Sequence, residues 1–297
     1  MATPSVGRFA PSPTGPLHFG SLLAALASYL DARARGGQWL VRMEDIDPPR
    51  EMPGAAATIL RQLEQHGLEW DGDVLFQSTR FAAYEAVIDQ LLASGQAYCC
   101  SCSRQRIQSL GGVYDGHCRH RNMTRQGNGV RLMVPPATTI EFDDLFQGSQ
   151  QQDLNRDQGD FVIHRRDGLP AYQLAVSVDD AFQGISHVIR GSDLLDSTGR
   201  QIFLLNTLGR KVPVYGHIPV ALNAGGQKLS KQNLAPSLDT RDPADNLRTA
   251  LLWLGVAREG DLAGLSVAQM LHWAVSQWDA TQVPRHPGTA APGVYQH

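Results

Sequence analysis

The sequence contains no apolar run long enough to cross a bilayer, which excludes a helical membrane span. Its start, Met1-Ala2-Thr3-Pro4-Ser5, lacks a charged-then-apolar export segment, so a cytoplasmic, membrane-free protein is expected. Net positive charge is also lacking. Twenty-six Lys and Arg stand against 29 Asp and Glu, a formal net charge of −3. A protein that held nucleic acid by bulk charge would be basic, so any RNA contact must rest on local patches or be brief. Cysteine is scarce: only Cys99, Cys100, Cys102 and Cys118 occur. Without an export segment, that clustering argues for metal rather than disulfides. The remaining composition is ordinary for a globular chain. At 297 residues it makes one large or two modest domains, with a core that needs no staples.

Along the chain, Val6 to Ala10 reads as a strand, and Pro11-Ser12-Pro13-Thr14-Gly15-Pro16 must be a loop. Apolar spacing predicts a helix from Ser21 to Arg35, stopped by Gly36-Gly37, and then a buried strand at Trp39 to Met43. Strand, loop, helix and strand make a βαβ unit, so an α/β fold with a parallel sheet is expected. Further helices are expected at Ala55 to His66, Arg80 to Ser94 and Thr198 to Leu208. Strands are expected at His187 to Arg190 and His217 to Leu222, with short β stretches at Val130 to Val134 and Phe161 to His164. Two helices are placed around Leu251-Leu252-Trp253 and Met270-Leu271-Trp273, followed by a frayed Pro/Gly/Ala tail after Val283. The division is 1–98 for the first half of the sheet domain and 99–184 for a metal-containing insertion. Residues 185–240 form the second half, and 241–297 a short helical region.

Two segments suit a nucleotide. Leu17-His18-Phe19-Gly20-Ser21 lies where a helix begins, and free N–H groups and a positive dipole end suit phosphate there. Gly15 and Gly20 permit close backbone approach, and His18 can donate to a phosphoryl oxygen. Lys228-Leu229-Ser230-Lys231-Gln232 follows Gly225-Gly226 and can clamp a triphosphate from a hinged loop. Alone, the first is compatible with a plain Pro/Gly connection and the second with a solvated basic loop.

Together they resemble the HIGH and KMSKS signatures of class I aminoacyl-tRNA synthetases. The glutamyl branch is the nearest likeness, through Arg8-Phe9-Ala10-Pro11-Ser12-Pro13-Thr14-Gly15, Arg42-Met43-Glu44-Asp45-Ile46-Asp47 and Arg190-Gly191-Ser192-Asp193-Leu194-Leu195. The matches run in order over about residues 6 to 235. Ser21 replaces the final His of HIGH, and Leu229 and Gln232 depart from KMSKS. The resemblance implies a Rossmann-like, doubly wound sheet and ATP-dependent activation of glutamate, with Mg²⁺ accompanying ATP. It also implies that Arg8 and Arg190 face carboxylates and Glu44 the ammonium. Tyr172 supplies a hydroxyl contact, and Ala10 and Ser12 line the amino-acid pocket. His18, Gly20, Lys228, Ser230 and Lys231 would meet ATP, with His18, Ser21, Lys228 and Lys231 acting in the chemistry.

Cys100-x-Cys102 with Cys118 is a soft donor set that favours zinc. Donor chemistry alone leaves the fourth ligand open between His117, Cys99 and Tyr114, and the family likeness points to Tyr114. A glutamyl-tRNA synthetase carries a large anticodon-binding domain after the KMSKS loop, whereas about 65 residues follow Gln232 here. With Ser21 and the cysteine spacing, this resembles the glutamyl-Q tRNA(Asp) synthetase family. That likeness implies glutamate transfer to queuosine in the tRNA(Asp) anticodon stem-loop by a monomeric enzyme. The alternatives are a minimal synthetase charging a tRNA 3′ end and an idle RNA-binding or regulatory paralogue.

Overall fold

The computed structural model describes residues 4–229 and 236–295. Its first part runs β1 (Val6–Phe9), α1 (Phe19–Ala34), β2 (Gln38–Met43), α2 (Ala55–Gln65), β3 (Leu75–Phe76) and α3 (Phe81–Ala93). The middle part holds β4 (Ala97–Cys100), α4 (Arg104–Ser109), β5 (Gly129–Leu132), β6 (Thr139–Asp144), β7 (Gly148–Asp153), α5 (Leu154–Asp157), β8 (Phe161–His164) and α6 (Tyr172–Phe182). The last part holds β9 (His187–Gly191), α7 (Leu195–Thr207), β10 (Val214–Ile218), β11 (Val220–Leu222), α8 (Pro243–Trp253), α9 (Val267–Gln277) and β12 (Gly288–Ala290). Among the described residues, no helix is long and apolar enough to cross a membrane.

The main sheet has the order β3-β2-β1-β9-β10, and every pairing is parallel. The βαβ expectation therefore holds, and the sheet is the doubly wound type. Strand order reverses between β1 and β9, which puts a ligand crevice at the carboxyl ends of those two strands. Strand β2 shows why the sheet is covered on both faces. Trp39, Val41 and Met43 point into one core with α1, α8 and α9, while Leu40 points into a second core with α3, α6 and α7. Helix α1 lies close on β1: a Cβ at Gly7 would stand 3.1 Å from that of Ala32.

A separate antiparallel sheet, β4-β5-β8, carries the cysteine segment. The β6-β7 hairpin leans on β10 and α7. The sequence reading foresaw neither this hairpin nor α6.

Three boundaries differ from expectation for local reasons. Helix α1 starts at Phe19 rather than Ser21, because His18 is its N-cap and accepts the Ser21 N–H at Nδ1 (3.3 Å). The strand expected over His217 to Leu222 is two strands, broken at Pro219, which has no N–H to donate. The tail after Val283 is not frayed. Strand β12 pairs in parallel with β11, and the buried Tyr295 ring stacks on Phe19 at 4.1 Å while its hydroxyl donates to Asn246 Oδ1 (2.6 Å). Its Pro/Gly/Ala content misled, because the pairing of β12 with β11 and the anchored Tyr295 side chain decide its order.

Tyr295 thus ties the end of the chain to the first turn of α1. Tyr295→Ala should cost about 3 kcal/mol, the usual loss for a buried aromatic. Denaturant unfolding checks it; a loss near zero would mean the tail does not brace the helix.

Candidate active site

The crevice at the switch point is a cavity of about 670 Å³. Among its lining residues are Arg8, Ala10, Ser12, Glu44, Tyr172 and Arg190, which come from β1, its following loop, the end of β2, the start of α6 and β9. His18, Gly20, Ser21 and Lys228 line the same cavity. Ser230, Lys231 and Gln232 lie outside the described residues.

The loop from Pro11 to His18 is held rigidly for its length. Glu44 N donates to Pro11 O (2.9 Å), Met52 N to Pro13 O (3.0 Å), and Leu17 N to Gln62 Oε1 (2.7 Å). Because His18 Nδ1 accepts a backbone N–H, that bond assigns the ring proton to Nε2, which makes Nε2 a donor. Gly20 is required by closeness: a Cβ there would press on the His18 ring at 3.2 Å. Leu229 is buried, and its N–H donates to Ala221 O (2.7 Å), so the second motif starts from β11. Lys228 Nζ donates to Asp193 Oδ2 in a half-exposed ion pair at the rim.

The floor is a buried charge network that the sequence showed only in part. Asp180, on α6, accepts Arg8 Nε (3.1 Å) and Nη2 (3.4 Å) and also pairs with Arg42 Nη1 (2.8 Å). Arg42 Nη2 reaches Glu44 Oε1 at 3.4 Å, and Nη1 donates to Gln183 Oε1 (2.8 Å). Burial pushes the Asp180 carboxyl up, but Arg8 and Arg42 outweigh it and hold it below the usual range. Glu44 has the weaker pairing, and burial raises its carboxyl above the usual range despite Arg42. Arg42, in β2, and Glu44, just past its end, sit two apart in sequence, a spacing that could have announced the pair.

Arg190 has no carboxylate partner among the described residues. Its Nε donates to His217 Nε2 (3.0 Å), its Nη2 to Thr198 Oγ1 (2.9 Å), and its buried Nη1 has no hydrogen-bond partner. His217 Nδ1 in turn donates to Asp144 Oδ2 (2.5 Å), and Asp144 Oδ1 accepts the N–H groups of Phe146, Gln147 and His217. Burial lowers the His217 pKa, so the ring is neutral at pH 7 and offers a lone pair to Arg190. Asp144 and His217 escaped the sequence reading because 73 residues separate them and no local motif marks either.

The cysteine cluster lies apart from this cavity floor. The sulfurs of Cys100, Cys102 and Cys118 all lie within 4.8 Å of one another, and Cys102 and Cys118 are 3.6 Å apart. Zn–S bonds of about 2.3 Å at tetrahedral angles place sulfurs about 3.8 Å apart, so the trio suits such an ion. The Tyr114 hydroxyl stands 3.3 Å from Cys100 Sγ and 3.7 Å from Cys102 Sγ. Cys99 faces the second apolar core instead, and the exposed His117 does not join the group. Arg131 supplies compensating charge, donating Nε to Cys100 Sγ (3.3 Å) with its guanidinium 3.9 Å over the Tyr114 ring.

Asp144→Asn isolates the relay to Arg190. Its amide nitrogen would face His217 Nδ1, move the ring proton to Nε2 and set donor against donor at Arg190 Nε. The affinity for L-glutamate should fall about tenfold to a hundredfold, the range for losing one hydrogen bond to a charged group. Calorimetry at matched thermal stability reads it; wild-type affinity would remove the relay from ligand binding.

The chain matches the family model described as tRNA synthetases class I (E and Q), catalytic domain, over residues 5–264. A glutamyl-Q tRNA(Asp) synthetase of Pseudomonas aeruginosa is 53% identical over 96% of this chain and 97% of its own length. That of Escherichia coli O6:H1 is 56% identical over 94% and 90%, and that of Serratia proteamaculans 54% over 94% and 92%. The fold is also that of a glutamate tRNA ligase from Elizabethkingia meningosepticum, solved with its amino acid. Its TM-score is 0.80 at 24% identity, covering 98% of this chain and 68% of that one. A doubly wound sheet with its crevice at the strand reversal, the first motif and Lys228 and Leu229 of the second along one cavity, and this likeness over nearly the whole length agree: the chain belongs to the class I tRNA synthetases of the E and Q group.

Proposed function

We propose that this protein activates L-glutamate with ATP and transfers the glutamyl group to queuosine in the anticodon loop of tRNA(Asp). The glutamate half rests on charge. Arg8 and Arg42 pair with Asp180 and Glu44, whereas Arg190 meets no carboxylate directly, its nearest acid in the network being Asp144 behind the neutral His217 ring. L-glutamate brings two carboxylates and one ammonium, a net charge of −1. Arg190, with Nη1 unpartnered, offers its fork to one carboxylate. Arg8 adds positive charge for the other, Glu44 takes the ammonium, and the Tyr172 hydroxyl, Ala10 and Ser12 complete the pocket. The acceptor half rests on likeness to glutamyl-Q tRNA(Asp) synthetases 53–56% identical to this chain.

In the first step an oxygen of the α-carboxylate attacks the ATP α-phosphorus, and pyrophosphate leaves with the electron pair of the broken P–O bond. His18 Nε2–H, the α1 N-terminus with Gly20, the Ser21 hydroxyl, and Lys228, Ser230 and Lys231 are the groups assigned to the phosphates. ATP enters as its magnesium complex. In the second step a hydroxyl of the queuosine cyclopentenediol attacks the glutamyl carbonyl carbon, losing its proton, and AMP leaves. Cys100, Cys102, Cys118 and Tyr114 would hold a structural zinc that pins the segment between β4 and β5.

The test is transfer of labelled glutamate to tRNA(Asp) with and without queuosine. Label confined to the anticodon-loop fragment of queuosine-containing tRNA is expected. Label on a 3′-terminal fragment would overturn the acceptor, and no glutamate-dependent ATP–pyrophosphate exchange would leave an idle paralogue.

Glu44 gives a second expectation. It must be charged to hold the ammonium, and burial raises its pKa, so acid protonates it before an ordinary carboxylate. As pH falls, kcat/KM for glutamate should therefore decline from a value above about 4.3, the ordinary Glu pKa. An acid limb only below that point would dissociate Glu44 from glutamate capture.

A further inference from the structure

A second cavity, of about 510 Å³, adjoins the first and shares Tyr172 with it. Its polar wall is built largely of arginine: Arg104 from the start of α4, Arg131 from β5, and Arg165 and Arg166 from the turn after β8. Ile107 and Val162 give it an apolar face. The size falls within the range of about 300–1,000 Å³ for small-ligand sites.

The charge around it is unlike the rest of the chain. Residues 99–134 contain six arginines and one acid, Asp115, a net charge of +5 within a chain of net −3. Everything else is then net −8. Three of the six are neutralised locally: Arg106 by Asp115, Arg119 by Asp160, and Arg125 by Glu85 and Asp89. Arg131 is buried against Tyr114 and Cys100. Arg165 is paired with Asp167 and Asp47. Two exposed guanidiniums on the cavity wall keep their charge: Arg104 makes no side-chain ion pair among the described residues, and Arg166 reaches only the carbonyls of Gly127 and Ser101.

We propose that this cleft binds the RNA strand next to its reacting nucleotide, with Arg104 and Arg166 on backbone phosphates and a base against Ile107 and Val162. The inference rests on the RNA-acceptor reading above and adds where that RNA lies. Phosphate contacts fix register and affinity whatever the sequence, and two unneutralised arginines at a cavity mouth serve that purpose. The shared Tyr172 then sets the acceptor hydroxyl beside the amino-acid pocket. The cleft also gives the cysteine cluster a task, since an ion held there would fix the segment from which Arg104 projects.

The experiment compares wild type with Arg104→Gln/Arg166→Gln, using tRNA(Asp) binding across a salt series and glutamate transfer. The double variant should raise the KM for tRNA on the order of tenfold and lower the salt slope of binding by about 1.4, or 0.7 per lost single-strand phosphate contact. Glutamate-dependent pyrophosphate exchange at saturating tRNA should stay unchanged, which shows the fold and amino-acid pocket to be intact. Arg104→Lys/Arg166→Lys should keep the wild-type slope. Arg210→Gln is the charge control. Arg210 precedes β10, at the end of the sheet opposite the crevice, and should leave KM and slope unaltered. An unchanged slope in the glutamine pair, or an equal loss in Arg210→Gln, would overturn the cleft. Wild-type transfer to no RNA, with the slope difference present, would instead sink the acceptor reading and leave the cleft standing.

Discussion

The Asp180 carboxylate is the contact on which the site depends. It joins α6 to β1 and β2 by accepting Arg8 and Arg42 together, 4% and 0% exposed. Without it Arg8 would be an uncompensated buried charge, and Arg42 would keep, of its carboxylates, only the longer contact to Glu44. Removing one partner of such a pair costs about 3–5 kcal/mol. Asp180 thus ties the three elements together at the floor of the site. This fixes Arg8 and Glu44 at the crevice before any ligand arrives, which is the preorganisation that binding and charge stabilisation require.

The same economy of charge explains Arg190. Asp144 is close enough to serve as its counter-ion through one intervening ring, yet its oxygens are occupied by His217 Nδ1 and three backbone N–H groups. Arg190 is instead aligned by neutral acceptors, His217 Nε2 and Thr198 Oγ1. A neutral clamp orients a guanidinium without cancelling its charge. Had an acid stood in that place, it would occupy the guanidinium directly, and an anionic amino acid would have to displace it. The paired arginines Arg8 and Arg42 are thus structural as well as electrostatic, while Arg190 has neutral partners and an unpartnered Nη1.

Legibility followed distance along the chain. The segments around His18, Glu44, Arg190 and Lys228 are local patterns of glycine, proline and charge, and the cavity brings these residues together. The βαβ start was equally local, since apolar periodicity writes α1 and β2 directly. Asp180, Asp144 and His217 were not legible because each matters only through partners 27 to 172 residues away. The tail was misread for a related reason. Composition described its backbone, but Tyr295 on Phe19 and β12 on β11 decide its state. The choice of fourth sulfur neighbour also waited for coordinates: Cys99 and Cys100 are adjacent in β4, and strand alternation sends them to opposite faces.

Net charge was the least informative reading, and the reason is physical. A sum of −3 describes how the whole chain repels or attracts at distances where the field is averaged, but salt screens that field beyond about 8–10 Å. What an RNA strand meets is the charge within that range. Here the body is acidic and the segment 99–134 is strongly basic, with its Arg104 and the nearby Arg166 on the cavity that adjoins the amino-acid pocket. An acidic body also disfavours RNA elsewhere on the surface, so the two halves of the charge distribution act in the same direction. The low overall charge then bears on placement: on the proposed reading it favours the approach that leads to Tyr172.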